Sequence, residues 1–196
     1  MSSLRTSVLA TAASLLLFGS MAMAQSNITS SINTADRHFM DKAAEANMAE
    51  VQLGQLAEKN AQSQKVKDFG QRRVTDHTKA DDALKQVAQK NDVTLPGKLD
   101  PQDEATLKRL EKLQGAAFDR AYMHDMVVDH EHDVAAFRRD EKNIKNIELK
   151  DWVINTLPTL DSHLTEAKEI APTVGVHAAA MKSNKPGATN QSKKTT

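Results

Sequence analysis

Four ionisable side chains interrupt otherwise apolar helical stripes in this sequence, and they are the residues best suited to chemistry. They are Glu50, His77, His130 and His163, and each stands at a position where a buried side chain is expected. Burying an ionisable group costs free energy unless the group finds a partner. One carboxylate and three imidazoles are suitable ligands for Zn, Fe, Mn or Cu. The four residues therefore predict a transition-metal site inside the protein.

The elements that must position these residues are helices. The chain is rich in Ala, Lys, Glu and Gln, contains no cysteine, and shows no alternating pattern typical of a strand. Apolar residues recur at spacings of four and three, which is typical of helices packed in a bundle. The pattern predicts one domain over residues 34–172, with four long helices and a short extra helix between the second and third. Their approximate ranges are 34–60, 64–91, 101–114 for the short helix, 115–142 and 147–171.

Local signals support several of these boundaries. Ser63 is a suitable N-cap for the second long helix, and Asp100 followed by Pro101 begins the short one. Pro158 lies inside the last helix, where it removes a backbone donor and is expected to kink the helix.

The predicted fold is all-α, an up-down-up-down four-helix bundle. Short connections near residues 62 and 145 make neighbouring helices antiparallel and are expected at the same end of the bundle. At a rise of about 1.5 Å per residue, Glu50 and His77 lie within roughly 5 Å of one level, and so do His130 and His163. The four side chains are therefore expected to converge.

Other polar residues lie near this predicted site. Each histidine has a carboxylate about one turn further along its helix. Such a carboxylate would hydrogen-bond to the imidazole and orient it without binding the metal itself. Tyr122 would donate a hydrogen bond, and the seam-facing Arg73 and Asp119 are expected to pair. The predicted supporting residues are Asp81, Asp133, Glu166, Asp119 and Tyr122. The alternative interpretation is a metal-free network in which the buried histidines bond to carboxylates across the bundle.

The two ends of the chain differ from the helical region. Residues 1–24 carry Arg5, an apolar run from Val8 to Phe18 and an Ala22-Met23-Ala24 motif, which together predict a cleaved signal peptide. The protein is therefore expected in the periplasm, with association with the outer membrane as a further option. Residues 173–196 are basic and rich in small polar residues, which predicts a disordered tail.

Composition excludes several functions. After removal of Arg5 the chain holds 25 basic and 26 acidic residues, a balance that gives no argument for nucleic-acid binding. No segment after the signal peptide is long and apolar enough to span a membrane. No nucleophile motif or phosphate-binding loop indicates an enzyme. A third interpretation is an enzyme that uses a metal-bound water as its nucleophile. The main alternative to a metal-binding protein is a metal-free interaction or chaperone-like protein, with homo-oligomers left open. Exposure of Leu107, Leu110 and Leu113 would favour that alternative.

The motifs around the candidate site resemble the family of domain of unknown function (DUF) 4142. The resemblance rests on "ANMAEVQLGQLA", "RRVTDHTKA", "LQGAAFDRAYMHDMVVDHEHDVAAF" and "WVINTLPTLDSHLTEA" and covers about residues 36–171. It implies an exported bacterial protein with a ferritin-like helical fold and no established activity. Ferritin-like di-iron proteins carry Glu-x-x-His on two helices. Here the residues three positions before the histidines are Val74, Val127 and Leu160, so ferroxidase or oxygenase activity is not expected.

The first prediction concerns export. If residues 1–24 are a signal peptide, the intact mass of the protein recovered from a bacterial periplasm should correspond to a chain that begins at Gln25. A periplasmic product that still carries residues 1–24 would contradict the assignment.

Overall fold

The computed structural model describes residues 32–177, which form five α-helices and one short 3-10 helix. The helices are α1 (Thr34–Asn60), α2 (Gln64–Lys90), α3 (Pro101–Leu110), α4 (Gly115–Asp140) and α5 (Ile147–Ile170), and the 3-10 helix is Ala171–Val174. The all-α class and the order of four long helices and one short helix are confirmed. The predicted signal peptide, residues 1–24, lies outside the described residues.

Side-chain caps explain why several helices begin where they do. The Asn33 side chain accepts from the backbone N–H of Ala35 and Asp36, and the Asp100 side chain accepts from Gln102 N–H. Both satisfy donors that have no partner within the first helical turn. Ser63 is the N-cap of α2, as predicted, but its side chain makes no capping bond. Helix α5 continues through Pro158, and the predicted kink there stays a prediction.

The predicted up-down-up-down order is wrong. Asp119, at the start of α4, accepts from the backbone N–H of Gln62 and Ser63 in the α1–α2 connection, at 3.0 and 2.9 Å. Asp36, at the start of α1, accepts from Lys145 and Asn146 N–H in the α4–α5 connection, at 3.1 and 2.8 Å. The two short connections therefore lie at opposite ends of the molecule. The observed order is up-down-down-up.

The reason lies in residues 91–114, which join α2 to α4. Helix α4 has 26 residues and is about 39 Å long. The extended segment 91–100 can span roughly 33 Å and α3 adds about 15 Å, so this connection can cross the full length of the structure. The prediction that the histidines converge does not depend on the direction of α4. His130 lies near the middle of α4 and therefore has a similar depth from either end.

The hydrophobic core is divided into two clusters. One surrounds Phe69, Phe118 and Tyr122, near the α1–α2 connection, and the other surrounds Leu84 and Trp152, towards the opposite end. Between the parts of the long helices that join one cluster and the parts that join the other lie the buried polar residues Asn47, Glu50, Arg73, His77, His130 and His163. The candidate site is therefore a polar layer between two apolar layers.

The leucines of α3, the residues after α5 and the apolar character of the helices were also predicted from the sequence. Leu110 is buried, and Leu107 and Leu113 pack partly buried against the core, so the exposed stripe that would favour an interaction protein is not found on α3. Val176 is buried in the same core cluster, so the predicted start of the disordered tail at residue 173 is too early; residues 178–196 lie outside the described part. Within residues 32–177, no helix has the length and apolar character needed to cross a membrane.

Helices α1 and α2 approach closely at Gly54 and Gly70. A Cβ atom at Gly54 would lie 2.6 Å from the backbone oxygen of Gly70 and 2.8 Å from Val74 Cγ2. Backbone atoms cannot move away as a flexible side chain does, so any side chain here must push the two helices apart.

We therefore expect Gly54→Ala to lower the free energy of unfolding by about 1–3 kcal/mol, even though alanine favours a helix by about 1 kcal/mol over glycine. Chemical denaturation followed by circular dichroism measures this difference. The control is Gly97→Ala, since a Cβ at Gly97 has no atom within 4 Å. Equal stability of the two variants would contradict the close approach.

Candidate metal centre

Three of the four predicted ligands come together in the core. One ring nitrogen from each of His77, His130 and His163 lies within 4.8 Å of those of the other two. The three residues come from α2, α4 and α5, and all are buried. Nitrogen ligands at about 2.0–2.1 Å from a tetrahedral Zn²⁺ lie about 3.4 Å apart. Shortening these N···N distances by at most about 1.4 Å would thus bring the imidazoles to binding distance of a single ion.

His163 has a carboxylate partner that orients its ring. His163 Nε2 lies 2.8 Å from Asp76 Oδ2, so Nε2 carries the proton and donates to the carboxylate. The lone pair is then on Nδ1, which is buried and has no hydrogen-bond partner within residues 32–177. A histidine that donates one ring N–H to a carboxylate and keeps the other nitrogen free is the usual arrangement of a metal ligand.

The other two rings are held in a similar way. His77 Nδ1 lies 2.9 Å from Asn47 Oδ1, and His130 Nδ1 lies 3.0 Å from the Met126 carbonyl oxygen. Both oxygens can only accept, so each Nδ1 carries a proton and each Nε2 keeps its lone pair. All three imidazoles therefore have one nitrogen fixed as a donor and one available as a ligand.

The carboxylates predicted to orient the histidine rings, those of Asp81, Asp133 and Glu166, have other partners in the structure. Asp81 pairs with Lys85 at 2.6 Å, Glu166 pairs with Arg72 at 3.1 Å, and the Asp133 carboxylate lies 3.7 Å from His132 Nδ1. Side chains on a helix tilt towards its N-terminus, so a ring reaches back to the preceding turn rather than forward to the next. His130 accordingly contacts the carbonyl of Met126, four residues earlier.

Sequence reasoning missed Asn47 and Asp76 as partners of the histidines. Asn47 precedes Glu50 by three residues, which places it on the same face of α1 and is a usable signal. Asp76 precedes His77 directly and is one of many acids in the chain, so nothing in the sequence distinguishes it. Only the packing of α5 against α2 brings Asp76 to His163.

Glu50 lies beside His130 but is already paired with Arg73. Its Oε2 accepts from Arg73 Nε at 2.9 Å, and its Oε1 lies 3.9 Å from His130 Nδ1. The Arg73 side chain is fully buried, and its guanidinium group also lies over the Phe69 ring at 5.1 Å. A buried ion pair of this kind is costly to break from one side, because the remaining charge is left without a partner.

The predicted roles of Asp119 and Tyr122 are also changed. Asp119 does not pair with Arg73; its carboxylate holds the connection between α1 and α2 instead. The Tyr122 hydroxyl is buried and has no hydrogen-bond partner within the described residues, so it orients none of the histidines there. Burial raises the pKa of Tyr122, which keeps the phenol protonated.

Burial keeps the three imidazoles neutral. The pKa values of His77 and His130 lie well below the usual 6.5, first because burial disfavours the charged ring and then because Arg73 is close. The pKa of His163 is lowered to about 4 by the same two causes, although the Asp76 carboxylate opposes the shift. Metal binding needs unprotonated imidazole, so at neutral pH the three lone pairs need no deprotonation step.

Two cavities reach this polar layer from different sides. A cavity of about 460 Å³ between α2 and α5 is lined by Asp76, His77 and His163 among others, and gives a path to the imidazoles. A larger cavity of about 640 Å³ on the side of α1 and α4 is lined by Glu50. We call the second one the acidic cavity, because its walls also carry the carboxylates of Glu45, Asp100, Asp103, Asp129 and Asp133.

Three carboxyl groups in the acidic cavity, those of Asp103, Asp129 and Asp133, have pKa values above the usual one. Burial, followed by repulsion from Glu50, raises the pKa of Asp129 to about 8 and that of Asp133 to about 6. Burial and the neighbouring Asp100 raise the pKa of Asp103 to about 6. A carboxyl whose pKa is higher in the folded state than in the unfolded state stabilises the fold at low pH and loses that contribution as the pH rises through the folded pKa.

We therefore expect Asp129→Asn to gain stability relative to the parent protein as the pH rises from 5 to 8. The difference in Tm between Asp129→Asn and the parent protein should grow by about 2–4 °C over this range, which corresponds to about 1 kcal/mol for a chain of this size. This value is small because Asp129 is partly exposed and solvent screens its charge. Thermal melts at several pH values measure it. Asp82→Asn, which removes an exposed carboxylate, serves as the control, and an Asp129→Asn difference that is constant with pH would be the contrary result.

Comparison with known proteins supports the family assignment and the fold. A fragment of a DUF305 protein from Deinococcus radiodurans has a similar structure, with a TM-score of 0.65 at 10% sequence identity, over 73% of this chain and 99% of that one. At this identity the likeness concerns the fold alone. No protein with a curated description matches the chain. The model of the domain of unknown function DUF4142 matches residues 21–170, so the resemblance seen in the sequence is confirmed and the chain belongs to the DUF4142 family.

Proposed function

We propose that this chain is an exported, periplasmic helical protein that binds one transition-metal ion through His77, His130 and His163. The observation that carries the proposal is the arrangement of the three rings, which come from three helices with one nitrogen of each within 4.8 Å of the others. Each ring has its second nitrogen fixed as a donor. A metal site needs both features, since the outer partners orient the ligands and set their protonation.

The chemistry of the ligands narrows the choice of ion. Three imidazoles suit Zn, Cu and Fe better than Mn, which prefers oxygen ligands. Three protein ligands leave a fourth position of a tetrahedral ion open. The cavity between α2 and α5 leads to His77 and His163 and is a suitable route for the ion. Metal handling in the cell envelope is the role we assign to such a site.

We also propose that the chain has the ferritin-like fold that the family resemblance implies, as a single domain. The up-down-down-up order with one long crossover supports this proposal, because ferritin-like bundles have one such connection. The histidine site differs from a di-iron centre in its ligands, so no ferritin activity follows from the fold.

One observation favours a second candidate, a metal-free structural role. Arg73 Nη1 lies 2.5 Å from His130 Nε2, and Arg73 Nη2 lies 3.4 Å from His77 Nε2. Arg73 thus satisfies two of the three lone pairs without any ion. In this alternative, the same residues are a hydrogen-bonded network that fixes how α1, α2 and α4 pack.

The test is equilibrium titration of metal-free protein, residues 25–196, with Zn²⁺ and with Co²⁺, whose visible spectrum reports its coordination. We expect one ion per chain. His163→Ala should reduce the affinity at least 100-fold, and Asp76→Asn should reduce it by about 10–100-fold because it loses only the orienting partner. His132→Ala is the matched control, since His132 lies on α4 with its side chain 81% exposed and outside the cluster.

Stability separates the two candidates. An ion that binds only the folded state adds about 2.7 kcal/mol at a free concentration of about 100 times Kd. Under the metal proposal, His77→Ala should therefore destabilise the metal-loaded protein more than the metal-free one. Equal destabilisation in both states, or a parent protein that binds none of Zn, Fe, Mn and Cu at neutral pH, would support the structural network instead.

A further inference from the structure

The Arg73 guanidinium lies beside two of the candidate metal ligands. Its guanidinium nitrogens contact Glu50 Oε2, His130 Nε2 and His77 Nε2, and the side chain has no exposed surface. The two histidine nitrogens are the same ones that would bind a metal through their lone pairs, because Nδ1 of each ring is the donor to Asn47 or Met126. The guanidinium is thus bound to two of the three candidate ligands.

Arg73 and a metal ion exclude each other for a chemical reason. A neutral imidazole has a single acceptor lone pair, which either accepts a hydrogen bond or binds a metal. A guanidinium group remains protonated in proteins and cannot give up its charge to make room. His77 and His130 can therefore bind an ion only after the N–H groups of Arg73 have moved away.

We propose that Arg73 is an internal competitor for the metal site, bound to His77 and His130 in the metal-free protein and displaced when the ion enters. This inference rests on the proposed function and adds how the site is controlled. Arg73 lowers the metal affinity, and it keeps the polar layer satisfied when no ion is bound. Rejection of ions at low concentration is the expected consequence.

The acidic cavity gives the displaced guanidinium a place to go. Glu50, the ion-pair partner of Arg73, lines this cavity, and so do Asp129 and Asp133 on α4. A shift of the Arg73 head group past Glu50 brings it to the carboxyl groups of Asp129 and Asp133. The positive charge favours their ionised form, to which its planar fork can bind with two parallel hydrogen bonds. The path runs away from the α2–α5 cavity, so entry of the ion and exit of the guanidinium use opposite sides of the site.

The test compares metal affinity with and without the competitor. Arg73→Met combined with Glu50→Gln removes the cation and its partner together, so that neither charge is left buried alone. We expect this double variant to bind Co²⁺ at least tenfold more tightly than the parent protein. Arg72→Met with Glu166→Gln is the matched control, since it removes a neighbouring, more exposed ion pair between α2 and α5 and should leave the affinity unchanged.

A second measurement uses the unaltered binding residues, so it holds even if the double variant fails to fold. The Nε–H group of Arg73 is buried and bonded to Glu50. Its NMR resonance, assigned by its loss in Arg73→Lys, should shift and lose protection from hydrogen exchange when the parent protein is saturated with Zn²⁺. A resonance that stays unchanged at saturation overturns the proposal.

The outcomes distinguish this inference from the proposed function. If the parent protein binds the ion and the Arg73→Met/Glu50→Gln variant binds it equally or more weakly, the competitor is overturned while the metal site stands. If only the variant binds, Arg73 blocks the site and the ion does not displace it, so the displacement step and the proposed function of the parent protein are both overturned. If neither folded protein binds Zn²⁺ or Co²⁺, the metal site and the competitor are both overturned.

Discussion

The buried ion pair between Arg73 and Glu50 is the interaction on which the centre of this structure depends. Both side chains are almost completely removed from water, so each charge needs the other. The pair joins α1 to α2, and the remaining guanidinium N–H groups extend the contact to α4 through His130. Removing one partner would leave the other charge buried, which typically costs about 3–5 kcal/mol. The pair therefore constrains which helices meet at this level and in what register.

The polar layer lies between the two apolar clusters of the core. Apolar clusters around Phe69 and around Trp152 exclude water above and below it. The same burial that makes the layer costly also lowers the pKa of His77 and His130 and keeps their rings unprotonated. Burial thus restricts how the helices can pack, and it also keeps the imidazoles in the neutral form that can bind a metal. Within residues 32–177, Nδ1 of His163 and Nδ2 of Asn47 are buried atoms of this layer that have no hydrogen-bond partner.

Two carboxylates hold the ends of the structure in a comparable way. Asp36 binds the connection between α4 and α5, and Asp119 binds the connection between α1 and α2. Each carboxylate accepts from two consecutive backbone N–H groups that would otherwise lack partners. These contacts join the two helical hairpins at opposite ends, and the long connection through α3 makes that arrangement possible.

The sequence by itself determined the helices and the residues that interrupt their apolar faces. Helix boundaries follow from local signals such as Ser63, Asp100 and the periodicity of apolar residues, so α1 and α2 could be placed to within a residue. The convergence of His77, His130 and His163 also followed, because residues near the middle of long helices share a depth in either orientation. What only the tertiary structure decided is the direction of the second hairpin and the partner of each buried charge. Helix direction depends on a connection long enough to run either way, and the pairings of Glu50 with Arg73 and of His163 with Asp76 join residues on different helices. Periodicity reports which face of a helix is buried, but it carries no information about which side chain on another helix that face will meet.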